Sequence, residues 1–81
     1  MSAWVIAGQP SDALPIVGQL YDVRHSRKGN FRMRATALHG EWLMGVIETG
    51  VAKAVMSYNV RGEGDEVTVR DVHSYLIEVP S

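Results

Sequence analysis

An alternation of apolar and polar residues with a period of two most constrains how this chain of 81 residues folds. It is clearest over residues 31–38, FRMRATAL, where Phe31 and Met33 alternate with Arg32 and Arg34. Successive side chains of a β-strand point to opposite faces, so this pattern predicts a strand with one face in a core and the other in water. The three prolines lie near the ends of the chain, which leaves its interior free for the hydrogen bonds of a sheet.

The segments on either side of this strand continue the pattern. Residues 17–25 place Tyr21 and Val23 on one face, which we expect to be buried. Residues 41–48 are apolar on both faces, and this predicts a central strand or one covered on both sides. Trp42 shares a phase with two further apolar residues of that strand, which favours a core position for its ring.

The C-terminal part of the chain is less regular. Residues 51–60 carry both helix-forming and strand-forming residues, and the surrounding strands favour strand. Short strands are predicted over residues 67–70 and 75–79. Turns are predicted where Gly and Asn cluster, at RKGN, HG and RGEGDE, and at the polar DVHS.

Five to six short strands joined by tight turns predict an all-β fold, a small antiparallel barrel. The SH3-like barrel fits the number and length of the strands best, and an OB-like barrel is the alternative. We expect one such domain over residues 16–81. Residues 1–15 are expected to form an N-terminal arm with a linker, in which residues 3–6 are either a short strand or a loose end.

Composition excludes several classes of function. The chain contains no cysteine, so disulfides, zinc–thiolate sites and thiol catalysis are absent. No apolar run approaches the about 20 residues that cross a bilayer, and no leader peptide is visible, so we expect a cytoplasmic protein that does not enter membranes.

No motif for catalysis, metal or cofactor stands out. The three histidines, at positions 25, 39 and 73, fall on different predicted elements without ligand spacing. Asp71, His73 and Ser74 include the residue types of a catalytic triad, but neighbours in sequence rarely align a hydroxyl with an imidazole nitrogen. We therefore expect no enzyme activity, no cofactor and no metal.

Charge is distributed unevenly along the chain. The net charge is only −1, but residues 24–34 contain five of the eight Lys and Arg residues and none of the nine acids. Such a field can steer a charged partner even when the net charge is near zero. The five cations are Arg24, Arg27, Lys28, Arg32 and Arg34.

This basic segment predicts weak binding of nucleic acid. Arg32 and Arg34 share one face of a strand about 7 Å apart, and the turn before them carries two further cations that reach outward. Phe31 and Trp42 are candidate stacking platforms for bases if their rings face outward.

Two alternatives use the same charges differently. In the first, the arginines pair with acids across the sheet, because the solvent faces of strands are commonly charged. A protein partner or a homo-oligomer is the other alternative, and it would bury Leu43, Ile47 and Trp4 between chains.

Overall fold

The chain folds into short β-strands, in a computed structural model that describes residues 3–8, 13–53 and 60–80. The described residues contain no α-helix and one short 3-10 helix, Asp71–His73. In this part of the chain no helix is long and apolar enough to cross a membrane. The strands are β1 (Val5–Ala7), β2 (Leu20–His25), β3 (Gly29–His39), β4 (Trp42–Gly50), β5 (Ala52–Lys53), β6 (Val60–Arg61), β7 (Glu66–Arg70) and β8 (Ser74–Glu78).

Six strands form one sheet in the order β1-β8-β2-β3-β4-β7, and β5 pairs with β6 in a separate ladder. The all-β fold is therefore confirmed, but the expectation of an antiparallel barrel needs two corrections. β1 runs parallel to β8, so the sheet is mixed. Strands joined by a tight hairpin must be antiparallel, but β1 and β8 lie near opposite ends of the chain and are not joined by one. The described ladders also leave β1 and β7 as edges, so the sheet is not closed.

One face of the sheet supplies the core. Tyr21, Val23 and Met33 are almost completely buried there, as the alternation predicts. Leu43 and Ile47 are equally buried within the same molecule, and Trp4 joins them at 7% exposure. The expectation that these last three residues lie between chains is therefore wrong.

β4 buries the opposite phase from the one expected for Trp42. Leu43, Gly45 and Ile47 point inward, whereas Trp42 is 45% exposed and lies beside the guanidinium of Arg70, 5.5 Å from the ring centroid. Both phases of this segment are apolar, so alternation alone does not distinguish them. Gly45 marks the phase that faces inward. A Cβ at this position would lie 2.6 Å from a backbone oxygen of β3, so only glycine allows the two strands to approach this closely.

The predicted turns lie between strands. The β2–β3 turn ends at Gly29, whose φ is 83°, and the β3–β4 turn contains Gly40, whose φ is 59°. Most of the ambiguous segment 51–60 lies outside the described residues, and only its two ends are seen, as β5 and β6.

Candidate nucleic-acid interface

Arg32 and Arg34 lie on the outer face of β3, and each is paired with an acid. Arg32 is the register partner of Asp22 on β2. Its Nε lies 2.7 Å from Asp22 Oδ1 and its Nη2 lies 3.2 Å from Asp22 Oδ2. This hydrogen-bonded pair lowers the pKa of the Asp22 carboxyl below its ordinary value. Arg34 Nη2 lies 3.2 Å from Glu48 Oε2, and its Nη1 donates to the carbonyl of Gly18. We call these two arginines with their two acids the strand face.

The β2–β3 turn holds the next part of the basic segment. His25 is buried, and its Nδ1 accepts hydrogen bonds from the backbone N–H groups of Arg27 (3.1 Å) and Lys28 (3.0 Å). Burial, reinforced by electrostatic interaction with Lys28, His73 and Arg27, lowers the pKa of His25 to about 4. The neutral ring is what can accept these bonds, so it fixes the turn that carries Arg27 and Lys28.

Two cations from outside the basic segment join this turn. The backbone N–H of Lys53 on β5 donates to the carbonyl of Lys28, 2.9 Å away, and Arg61 on β6 lies opposite Ala52. Lys28, Lys53 and Arg61 line one pocket of about 270 Å³ together with Glu66. We call Arg27, Lys28, Lys53 and Arg61 the basic end.

The cations of this pocket lie close enough to affect one another. Lys28 is partly buried and its Nζ donates to the carbonyl of Thr68. Burial, and then the charge of Arg61, lower the pKa of Lys28 below its ordinary value. No ion pair is found for Lys28, Lys53 or Arg61 among residues 3–8, 13–53 and 60–80. The pocket therefore concentrates positive charge that an anion would relieve.

The two predicted stacking residues have different surroundings. Phe31 is 5% exposed in the core, so its ring is closed to a base. Trp42 is exposed, and it pairs with His39 on β3 and with Arg70 on β7. Arg70 is two residues from Thr68 on β7, and the carbonyl of Thr68 accepts a hydrogen bond from Lys28 Nζ. Neither ring lines the cationic pocket of the basic end.

Arg24 occupies a third position, on the outer face of β2. Its register partners are Asn30 on β3 and Tyr75 on β8. Tyr75 is 41% exposed, and it is an outward-facing aromatic residue that the sequence interpretation did not identify. Its adjacency to Arg24 depends on the pairing of β2 with β8, strands about 50 residues apart in the chain, and alternation within one strand does not reveal that pairing.

Comparison with protein-family models, with curated proteins and with solved structures found no match to this chain. The described residues contain no group of three or more His, Asp or Glu side chains placed to hold a metal ion. The geometry of the cations is accordingly the main guide to function.

Proposed function

We propose that this protein binds nucleic acid weakly, as a cytoplasmic and non-enzymatic module, and that the basic end makes the principal contact with phosphates. The observation that carries the proposal is the convergence of Lys28, Lys53 and Arg61 on one pocket. They come from the β2–β3 turn, β5 and β6, and Arg27 lies on the same turn.

A phosphate group suits this pocket for electrostatic reasons. Burial, and then the charge of Arg61, lower the pKa of Lys28, so both disfavour its charged form, and a bound phosphate would favour that form. A single acid, Glu66, lines the pocket, so the local charge is positive although the whole chain carries −1. Binding should be weak and depend steeply on salt, because the rest of the molecule adds no attractive field.

The five cations of the basic segment have different roles in this proposal. Arg27 and Lys28 belong to the basic end, and Arg24 lies beside it. Arg32 and Arg34 are assigned to the sheet, where Asp22 and Glu48 neutralise them. The absence of cysteine agrees with the proposed location in a reducing compartment.

Two double variants that remove the same charge test this assignment. Lys53→Gln with Arg61→Gln removes two cations from the basic end, and Arg32→Gln with Arg34→Gln removes two from the strand face. Anisotropy titration of a labelled 12-nucleotide strand at several salt concentrations gives the slope of log K against log salt. We expect the first variant to reduce that slope by about 1.4, since each lost contact with a single strand changes it by about 0.7.

The strand-face variant should keep the slope of the wild-type protein. Equal losses in the two variants would show that only net charge matters and would overturn the role of the basic end. Absence of binding by the wild-type protein at low salt would remove the nucleic-acid proposal as a whole. Thermal unfolding of both variants separates a loss of contact from a loss of fold.

A protein partner is the second candidate, and exposed apolar residues favour it. Leu14, Ile16 and Val17 are each more than half exposed, in the segment that leads into β2. The backbone N–H of Gly18 donates to the carbonyl of Ala35, which holds the end of this segment beside β3. Sedimentation velocity tests self-association through these side chains, and a strict monomer at high concentration would rule it out.

A further inference from the structure

A shallow depression lies on the outer face of the sheet beside the basic end. Its floor includes a row of register partners, Val5 on β1, Tyr75 on β8, Arg24 on β2 and Asn30 on β3. The depression has a volume of about 610 Å³. It is open to solvent, and three of the four side chains of this row are neutral.

We propose that this depression accepts an unpaired base of a single-stranded nucleic acid, with Tyr75 as the stacking platform and Arg24 on the adjoining phosphate. This inference rests on the proposed function and adds to it the class of nucleic acid. A base in a duplex is already stacked between its neighbours, whereas an unpaired base is free to enter a surface depression.

The surroundings of Tyr75 suit a base. Val5 and Arg24 flank it on the two neighbouring strands, so one side is apolar and the other cationic. Side chains at directly opposed positions have Cβ atoms about 5 Å apart, which places the guanidinium of Arg24 within reach of a group stacked on the ring. Among the described residues Arg24 makes no ion pair. Its charge is felt by the Asp22 carboxyl, but that carboxyl is bonded to Arg32, so the guanidinium of Arg24 can still contact a phosphate.

Polar groups at the wall favour a base over an apolar side chain of a protein. Ser26 Oγ lies 3.1 Å from His73 Nδ1, and both residues line the depression with Asn30. Hydroxyl, imidazole and amide groups offer donors and acceptors to the edge of a base. A purely apolar ligand would make no use of these groups.

The β2–β3 turn contributes residues to both the depression and the basic end. Ser26 lines the depression and Lys28 lines the cationic pocket, and two residues of chain span at most about 7 Å. The backbone N–H of Ser26 donates to the carbonyl of His73, 2.8 Å away, which fixes the turn against the 3-10 helix. One strand can therefore place a phosphate in the pocket and a nearby base on Tyr75.

The test compares Tyr75→Ala with Tyr75→Phe and with Trp42→Ala, a similarly exposed aromatic residue that does not line the depression. Each protein is titrated with labelled oligothymidylate, oligouridylate and a duplex of the same length. We expect Tyr75→Ala to weaken binding to single strands about tenfold, since stacking of one base typically contributes that much. Tyr75→Phe and Trp42→Ala should change it less than twofold.

The salt slope keeps this inference separate from the proposed function. Tyr75→Ala should leave the slope unchanged, because no phosphate contact is lost, and should leave binding to the duplex unchanged. Wild-type protein that binds single strands and duplex equally, or a Tyr75→Ala variant that binds as the wild type does, would overturn the base site while the basic end stands. Absence of any binding by the wild-type protein would overturn both. Oligothymidylate and oligouridylate titrations distinguish DNA from RNA as the source of the base.

Discussion

The strand face and the basic end come from the same run of cations but differ in what surrounds them. On the strand face, Arg32 and Arg34 each meet an acid on a neighbouring strand. At the basic end, Lys28 meets two more cations, Lys53 and Arg61, around one pocket. One run of positive charge in the sequence is therefore divided into a neutralised part and a concentrated part.

The difference follows from the architecture of a sheet. A side chain within a strand has directly opposed and diagonal neighbours on the adjoining strands, and an acid at either position can pair with it. Asp22 is directly opposed to Arg32, whereas Glu48 is diagonal to Arg34. A turn residue has no such neighbour on an adjoining strand, so its long side chain contacts the segments that pack against that end of the sheet. For this protein β5 and β6 approach the turn, and each carries a cation.

Gly45→Ala should break the strand face with the largest effect. A Cβ at residue 45 would lie 2.6 Å from the carbonyl oxygen of Arg34 and 3.0 Å from Met33 Sδ, so the backbone of β3 would have to move. We expect a loss of roughly 3 kcal/mol in the free energy of unfolding, measured by urea denaturation. That is a large share of the roughly 5 kcal/mol expected for a domain of this size.

Gly62→Ala is the matched control near the basic end. A Cβ at Gly62 has nothing within 4 Å, and its φ is outside the left-handed region. The free energy of unfolding of the Gly62→Ala variant should therefore increase, by less than about 1 kcal/mol. Equal destabilisation of the two variants would show that the strand face is no more closely packed than the loop.

The basic end should respond to pH through His25. Its pKa is about 4 in the folded protein and near 6.5 when unfolded, so the unfolded chain binds more protons between these values. Stability conferred by the neutral ring is full above pH 6.5 and is lost as the pH falls toward 4, with a steepest slope of about 1.4 kcal/mol per pH unit.

His25→Asn should remove most of this slope. The Asn side-chain oxygen can accept the hydrogen bonds from Arg27 and Lys28, and it does not titrate. Urea denaturation from pH 4.5 to 7.5 measures the slope, and His39→Asn, at an exposed histidine, is the control. An unchanged slope in His25→Asn would show that other groups control the acid response.

The core and the ends of the strands could be predicted from the sequence because they depend on local pattern. The alternation at Tyr21, Val23 and Met33 was sufficient to place these side chains inside. The phase of Trp42 could not be predicted, because both faces of β4 are apolar and the choice depends on the close approach of β3 to Gly45.

The candidate site was less accessible to such reasoning. The pairing of Arg32 with Asp22 depends on the register of β2 and β3, and the position of Lys53 beside Lys28 depends on how a distant ladder packs. Counting the charges along the sequence reveals neither the register of these strands nor the packing of that ladder. The same holds for Tyr75, whose place beside Arg24 needs the pairing of β2 with β8.

The smallest expected effect comes from converting one part of the strand face into a binding surface. Asp22→Asn removes the acid that pairs with Arg32, and Arg32 lies beside Arg24 at a second depression on the same face. The freed guanidinium can then contact a phosphate. We expect affinity for single strands to rise a few-fold and the salt slope to rise by up to about 0.7, measured by anisotropy.

Glu41→Gln is the control for this variant, because it changes the net charge by the same amount. It releases Arg70, which lies 3.2 Å from Glu41 beside Trp42 and lines neither the cationic pocket nor the two depressions. If Glu41→Gln raises affinity as much as Asp22→Asn does, then net charge alone controls binding. If only Asp22→Asn raises it, then an acid in register is what separates the strand face from the basic end.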